Sequence, residues 1–115
     1  MMNTISRDEL TAKIARHDKF RLVEVDSESD YHKVHLPGAI HIAPERIGAL
    51  AAKRLRDRDA EIVVYSSDSH EADDAARELV EKGYTHVREY VEGKQDWIDS
   101  GLPVVSDVRR GTEEE

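Results

Sequence analysis

Apolar and polar positions alternate in blocks along the chain, and the block lengths distinguish strands from helices. Four short apolar runs, typical of strands buried on both faces, begin at positions 20, 39, 61 and 85: FRLVEV, AIHIA, EIVVY and THVREYV. Between them lie segments with helical periodicity, such as residues 7–16, where Leu10 and Ile14 share one face. Strands that alternate with helices predict right-handed crossovers and a parallel sheet.

Residues that start and stop helices set the expected boundaries. Ser6 and Glu9 form a capping-box pattern before the first helix, and Pro44 suits the start of the helix over ERIGALAAKRLRD. Gly83 ends a helix that begins near Ser69. Short helices are also expected over DSESDYHKV and KQDWIDS. We therefore predict an α/β fold, a single small domain whose parallel sheet carries helices on both faces.

Length and charge narrow the possible functions. A chain of 115 residues supports one core, predicted over residues 1–106 and followed by an acidic, frayed tail over residues 107–115. Seventeen basic against 25 acidic residues give a net charge of −8 and leave no basic footprint for nucleic acid or an anionic membrane surface. No apolar run approaches the roughly 20 residues of a membrane span, so a cytoplasmic location is expected.

Cysteine is absent from the sequence. This excludes disulfides, metal sites built from thiolates and any reaction that passes through a thiol of this chain.

The loop after EIVVY is the expected functional site, because ligands of open parallel sheets bind at the carboxyl ends of the strands. It comprises residues 66–71 and contains no cysteine, glycine, lysine or arginine. Asp26, which follows the strand FRLVEV, is its expected neighbour in the pocket.

The order of these motifs resembles the rhodanese-like (sulfurtransferase) domain family. LVEVDSESDYHKVHLPGAIHIA is similar to that family's first signature, which ends in a turn matched by residues 35–40. The second half is similar from IVVY onward, with Gly83, Tyr84, Gly93 and Trp97 in register, and with GLPV at residues 101–104. The resemblance spans residues 22–104 and implies the fold predicted above.

The departures from the family fall in its active site. Sulfurtransferase members carry Cys-x-x-Gly-x-Arg in the loop, and this register places Ser66, Ser69 and Glu71 at those three positions. Upstream, Glu24 occupies the position of an aspartate in the family, and Asp26 occupies the position of the arginine that follows this aspartate. Further departures are Val34 and Glu92, each at a family glycine position.

The resemblance implies a reaction that this loop does not support. The family stores sulfur as a cysteine persulfide, which a serine hydroxyl does not form. No catalytic residue is therefore expected, and Glu71 with the nearby acids should repel anionic substrates. The loop is interpreted as a vestigial site that still offers a possible ligand-binding surface: Ser66, Ser67, Asp68, Ser69, His70 and Glu71.

Simpler roles are expected for several of these residues. The loop serines are expected to form the turn, with Ser67 or Ser69 capping the following helix. His35, which also borders the predicted pocket, is expected to pack beside the Pro37–Gly38 turn. The predicted function is a non-catalytic binding or regulatory module that acts through an unknown protein partner, without cofactor or metal.

An enzyme of altered chemistry that uses loop 66–71 is the alternative. Ser66 with His35 or His70 as a base has suitable residue types, but no Gly-x-Ser-x-Gly pattern surrounds it. Asp68, His70 and Asp73 or Asp74 carry metal-ligand atoms in a spacing that matches no established motif.

Overall fold

Five parallel strands form one sheet in the computed structural model, which describes residues 3–107 apart from the side chain of Ser69. The strands are β1 Asn3–Thr4, β2 Arg21–Glu24, β3 Ile40–His41, β4 Glu61–Tyr65 and β5 His86–Glu89. They lie in the order β1-β5-β4-β2-β3, and every neighbouring pair is parallel. The predicted α/β fold is confirmed.

Four α-helices connect the strands, α1 Arg7–Ala15, α2 Glu28–Lys33, α3 Ile47–Arg54 and α4 Ser69–Glu81, and α5 Gly93–Asp99 follows β5. A 3-10 turn lies at Pro44–Arg46. Ser6 caps α1 as predicted, since its hydroxyl accepts a 3.1 Å hydrogen bond from the Glu9 amide. None of these helices combines the length and the hydropathy needed to cross a membrane.

Side-chain alternation along the strands builds two core layers. Ile62 and Val64 of β4 pack toward α3 and α4, whereas Val63 and Tyr65 of the same strand pack on the opposite face. Trp97 of α5 belongs to the second layer and is buried. Helices on both faces therefore cover the sheet and bury the side chains of its central strands.

The start of the chain contains a short strand that the sequence did not predict. β1 has only two residues, too few for a periodic pattern, and is held by its pairing with Arg88 and Glu89 of β5. Near the other end, the Asp107 amide donates a 2.9 Å hydrogen bond to the His32 carbonyl. Residues 108–115, which make up most of the predicted tail, lie outside the described residues.

A buried carboxyl group lies between the sheet and α4. Glu89 is 4% exposed and faces α4 because it follows Val87 by two positions on β5. Burial, followed by the negative charge of Asp73, raises the pKa of Glu89 to about 7. Asp73 itself accepts a 2.8 Å hydrogen bond from the Arg77 guanidinium.

This arrangement predicts a pH-dependent stability. Because the pKa of Glu89 is higher in the folded state than the ordinary 4.5, stability should fall as pH rises through the interval from about 4.5 to 7. Glu89→Gln keeps the neutral form and should be more stable than the parent protein at pH 8 by up to about 3 kcal/mol. Urea unfolding at pH 5 and pH 8 measures the difference. The exposed Glu81→Gln is the control, and an unchanged pH profile in Glu89→Gln would contradict the assignment.

Candidate functional site

The carboxyl ends of β2 and β4 bring Asp26 and Ser67 into contact. These strands are neighbours, with Glu24 opposite Tyr65, so the residues that follow them emerge side by side. The Ser67 amide donates to Asp26 Oδ1 at 2.9 Å, and the Ser67 hydroxyl donates to Asp26 Oδ2 at 2.9 Å. Asp26 therefore lies directly against the loop.

Ser66 points into the loop instead of toward solvent. It is 1% exposed, and its hydroxyl donates a hydrogen bond to the Asp68 carbonyl. Its own carbonyl accepts a 3.1 Å hydrogen bond from the Lys94 amide. The hydroxyl and the carbonyl of Ser66 are thus both hydrogen-bonded to main-chain groups around it.

The N-cap of α4 is Asp68, so the expectation of a serine cap is wrong. The Asp68 carboxylate accepts a 2.8 Å hydrogen bond from the His70 amide, and its carbonyl accepts one from Glu71 at 3.1 Å. A carboxylate suits the positive end of a helix better than a hydroxyl. Ser67 does not cap, because Asp26 engages both its amide and its hydroxyl.

The acids of the loop affect one another. Burial raises the pKa of the Glu71 carboxyl, and the negative charges of Asp68, Asp26 and Glu45 raise it further. Carboxylates from three segments of the chain therefore act on the side chain at the family's arginine position. Their combined field disfavours a bound anion at this rim of the site.

Lys94 is the residue of the site that sequence reasoning missed. It lies in the first turn of α5 and is 4% exposed. Its ammonium donates to Glu24 Oε2 at 2.6 Å and to the carbonyls of Val34 and Asp30 at 2.6 and 3.0 Å. Asp26 Oδ2 lies 3.4 Å from the same nitrogen. The buried cation of this site therefore comes from α5 and not from the loop.

Glu24 completes this buried network. The Tyr65 hydroxyl donates to Glu24 Oε1 at 2.6 Å and accepts from the Leu36 amide at 3.1 Å. Burial and the adjacent Asp26 raise the pKa of Glu24 to about 7, although Lys94 and Tyr65 act in the opposite direction. Burial also raises the pKa of the Tyr65 hydroxyl, so that it stays a donor.

The sequence contains a signal for Lys94. Glu24 lies between the apolar residues Val23 and Val25 of a predicted buried strand, and a buried carboxylate requires a cation or a proton. Lys94 precedes the core residue Trp97 by three positions and so shares its helix face. The two facts together indicate a buried lysine, but they do not identify its partner.

His35 and His41, which lie near Asp26 and the loop, both have structural partners. His35 is buried, its ring stacks on Tyr31 with centroids 4.0 Å apart, and its Nδ1 lies 2.8 Å from the Tyr31 carbonyl. His41 at the edge strand places Nε2 at 2.6 Å from the Asp26 carbonyl. His35 therefore packs on α2, and His41 holds the main chain of Asp26.

Two clefts flank the loop. A cleft of 520 Å³ lies on the β3 side and has mixed charge, with Glu71, Glu45, Arg46, Arg54 and His41 among its lining residues. A smaller cleft of 170 Å³ lies on the α5 side and includes Ser67 and Lys94. Within residues 3–107, no group of three or more histidine, aspartate or glutamate side chains is placed to hold a metal ion.

Comparisons with known proteins agree with this architecture. Residues 6–100 match the family described as Rhodanese-like domain. The uncharacterized protein YibN of Escherichia coli K12 is 27% identical over 105 residues, which cover 90% of this chain and 73% of YibN. YrkF of Bacillus subtilis is also 27% identical, over 81% of this chain, but the match spans only 49% of YrkF.

Solved structures share the fold. A thiosulfate sulfurtransferase from Pseudomonas aeruginosa has a TM-score of 0.83 and 23% identity over 93% of this chain, which corresponds to 20% of that enzyme. The human single-domain sulfurtransferase TSTD1 has a TM-score of 0.76 and 22% identity, covering 86% of this chain and 97% of the human chain. At these identities the likeness establishes the fold and not the activity.

Proposed function

Because the chain belongs to the rhodanese-like domain family, we propose that it is a non-catalytic member, a binding or regulatory module that transfers no sulfur. The observation that carries this proposal is the state of Ser66. It directly follows β4, at the position that the family register gives to the cysteine, and its buried hydroxyl is bonded to the Asp68 carbonyl. Position 66 therefore provides neither a sulfur atom nor a free nucleophile.

The electrostatics of the loop support the same proposal. The family's loop arginine is replaced by Glu71, on which Asp68, Asp26 and Glu45 act through their charges. These carboxylates oppose the binding of a dianionic substrate at this rim. Repulsion of this kind acts on substrate binding and is independent of the missing thiol.

A hydrolase that uses Ser66 is less well supported. A serine needs a base within hydrogen-bond reach, whereas the Ser66 hydroxyl donates to a carbonyl, and His35 is engaged with Tyr31. The action of the module is instead assigned to contacts with a protein partner, for which the mixed-charge cleft beside Glu71 provides a polar surface.

A sulfur-transfer assay tests the proposal. With thiosulfate and cyanide, the parent protein should show no turnover above the uncatalysed rate. Ser66→Cys should stay within about tenfold of that rate, because Glu71 and its neighbours still oppose anion binding. Adding Glu71→Arg to Ser66→Cys should raise turnover above that of the single variant, since the charge at the family's arginine position is restored.

Two results would contradict the proposal in different ways. Turnover by the parent protein that disappears in Ser66→Ala would show that the module is an enzyme. Robust activity of Ser66→Cys alone would show that the missing thiol by itself explains the lack of sulfur transfer. The proposed repulsion of anions by the loop carboxylates would then be wrong. Circular dichroism of each variant verifies that the fold is retained.

A further inference from the structure

The loop beside Ser66 binds the carboxylate of Asp26, a residue of the same chain. Asp26 is 3% exposed, and its carboxylate accepts hydrogen bonds from the amide and the hydroxyl of Ser67, both at 2.9 Å. The Lys94 ammonium lies 3.4 Å from Asp26 Oδ2. Two neutral donors from Ser67 and one cation from α5 therefore converge on a single buried carboxylate.

We propose that Ser67 and Lys94 form a carboxylate-binding site that is filled by Asp26, which closes the site to small anions. The three groups match the needs of a carboxylate, because each oxygen receives a donor from Ser67 and a buried ammonium, which also pairs with Glu24, lies 3.4 Å away. Asp26 stands where the family has the arginine that follows its aspartate, so the charge at this position is reversed.

The site is rigid around its occupant. The Asp26 carbonyl accepts a hydrogen bond from His41, and the Lys94 ammonium is held by Glu24 and by the carbonyls of Asp30 and Val34. These contacts do not involve the Asp26 carboxylate. Removing that carboxylate therefore leaves the donors in place and makes the site more positive by one charge.

An attached carboxylate competes strongly with free anions. Asp26 is fixed by β2 and His41, so its carboxylate has a high effective concentration at Ser67, and small anions in solution do not displace it. Opening the site requires removal of the side chain. Asp26→Ala deletes a single carboxylate group, and formate is the free molecule that replaces this group with the least excess volume.

Nuclear magnetic resonance and thermal unfolding test the proposal with sodium formate as the probe. In Asp26→Ala, formate should shift the Ser67 amide resonance in a saturable manner. At tenfold the dissociation constant it should raise the melting temperature by about 5 °C. Acetate, which carries an additional methyl group, should bind more weakly. Sodium chloride at the same ionic strength controls for general salt effects.

Matched variants separate the site from its surroundings. Asp26→Asn keeps the shape of the occupant and should stay closed to formate, as should the parent protein. Asp26→Ser provides a second open variant if Asp26→Ala is poorly folded. The absence of a formate-dependent Ser67 shift in the folded open variants would overturn the proposal, and so would a saturable shift in the parent protein. Binding is measured here without turnover, so either failure leaves the proposed function intact.

Discussion

Replacing Lys94 with methionine should lower the free energy of unfolding by about 3–5 kcal/mol at pH 8. Methionine fills much of the same space, but it leaves Glu24 and Asp26 buried without their cation. The carbonyls of Val34 and Asp30 also lose a donor. Since domains of this kind are stable by only about 5–15 kcal/mol in total, urea unfolding should show a large decrease in the midpoint.

The pH dependence of the stability lost in Lys94→Met distinguishes the contribution of the ammonium charge from that of side-chain packing. With its pKa raised to about 7, Glu24 takes up a proton at pH 5 and no longer needs the ammonium. The effect of Lys94→Met should therefore be smaller at pH 5 than at pH 8. The exposed Lys53→Met is the control and should change stability by less than about 0.5 kcal/mol. An equal loss at both pH values would show that the ion pair with Glu24 does not account for the stabilisation by Lys94.

A double variant measures the coupling directly. Lys94→Met combined with Glu24→Gln should recover part of the stability lost in Lys94→Met, because the glutamine is neutral and still accepts from Tyr65. No recovery would indicate that the carbonyls of Val34 and Asp30 dominate the role of the lysine.

Replacing Gly93 with alanine should destabilise the protein by about 2–5 kcal/mol, from left-handed strain and overpacking together. Gly93 has φ of +81°, and a Cβ there would lie 2.7 Å from the Ser66 carbonyl oxygen. That oxygen is main chain, so relief of the clash requires α5 to move away from the loop. The movement would also break the 3.1 Å hydrogen bond from the Lys94 amide to Ser66.

Gly101→Ala is the matched comparison. Gly101 has a similar φ of +75°, but a Cβ added there would meet no atom within 4 Å beyond its chain neighbours. The free energy of unfolding of Gly101→Ala should decrease by only about 1–2 kcal/mol, through backbone strain. Urea unfolding of both variants isolates the contact between α5 and Ser66, and equal losses would mean that this contact contributes nothing.

Much of the fold could be predicted because burial follows local periodicity. The run EIVVY became β4, the capping-box pattern at Ser6 became the start of α1, and Gly83 follows the end of α4 with a positive φ. β1 could not be predicted in this way, since Asn3 and Thr4 form a strand only through pairing with β5. The cap at Asp68 was missed because serines and aspartate compete for that position within three residues.

Sequence alone determined the missing thiol, the acidic loop after β4 and the α/β order of elements, since each depends on residue identity or short-range periodicity. Tertiary structure decided how the charges pair. Asp26 meets Ser67 across 41 residues, and Lys94 meets Glu24 across 70, because parallel crossovers place the ends of β2 and β4 beside α5. Such contacts depend on strand order and on the direction of α5, which no local pattern specifies.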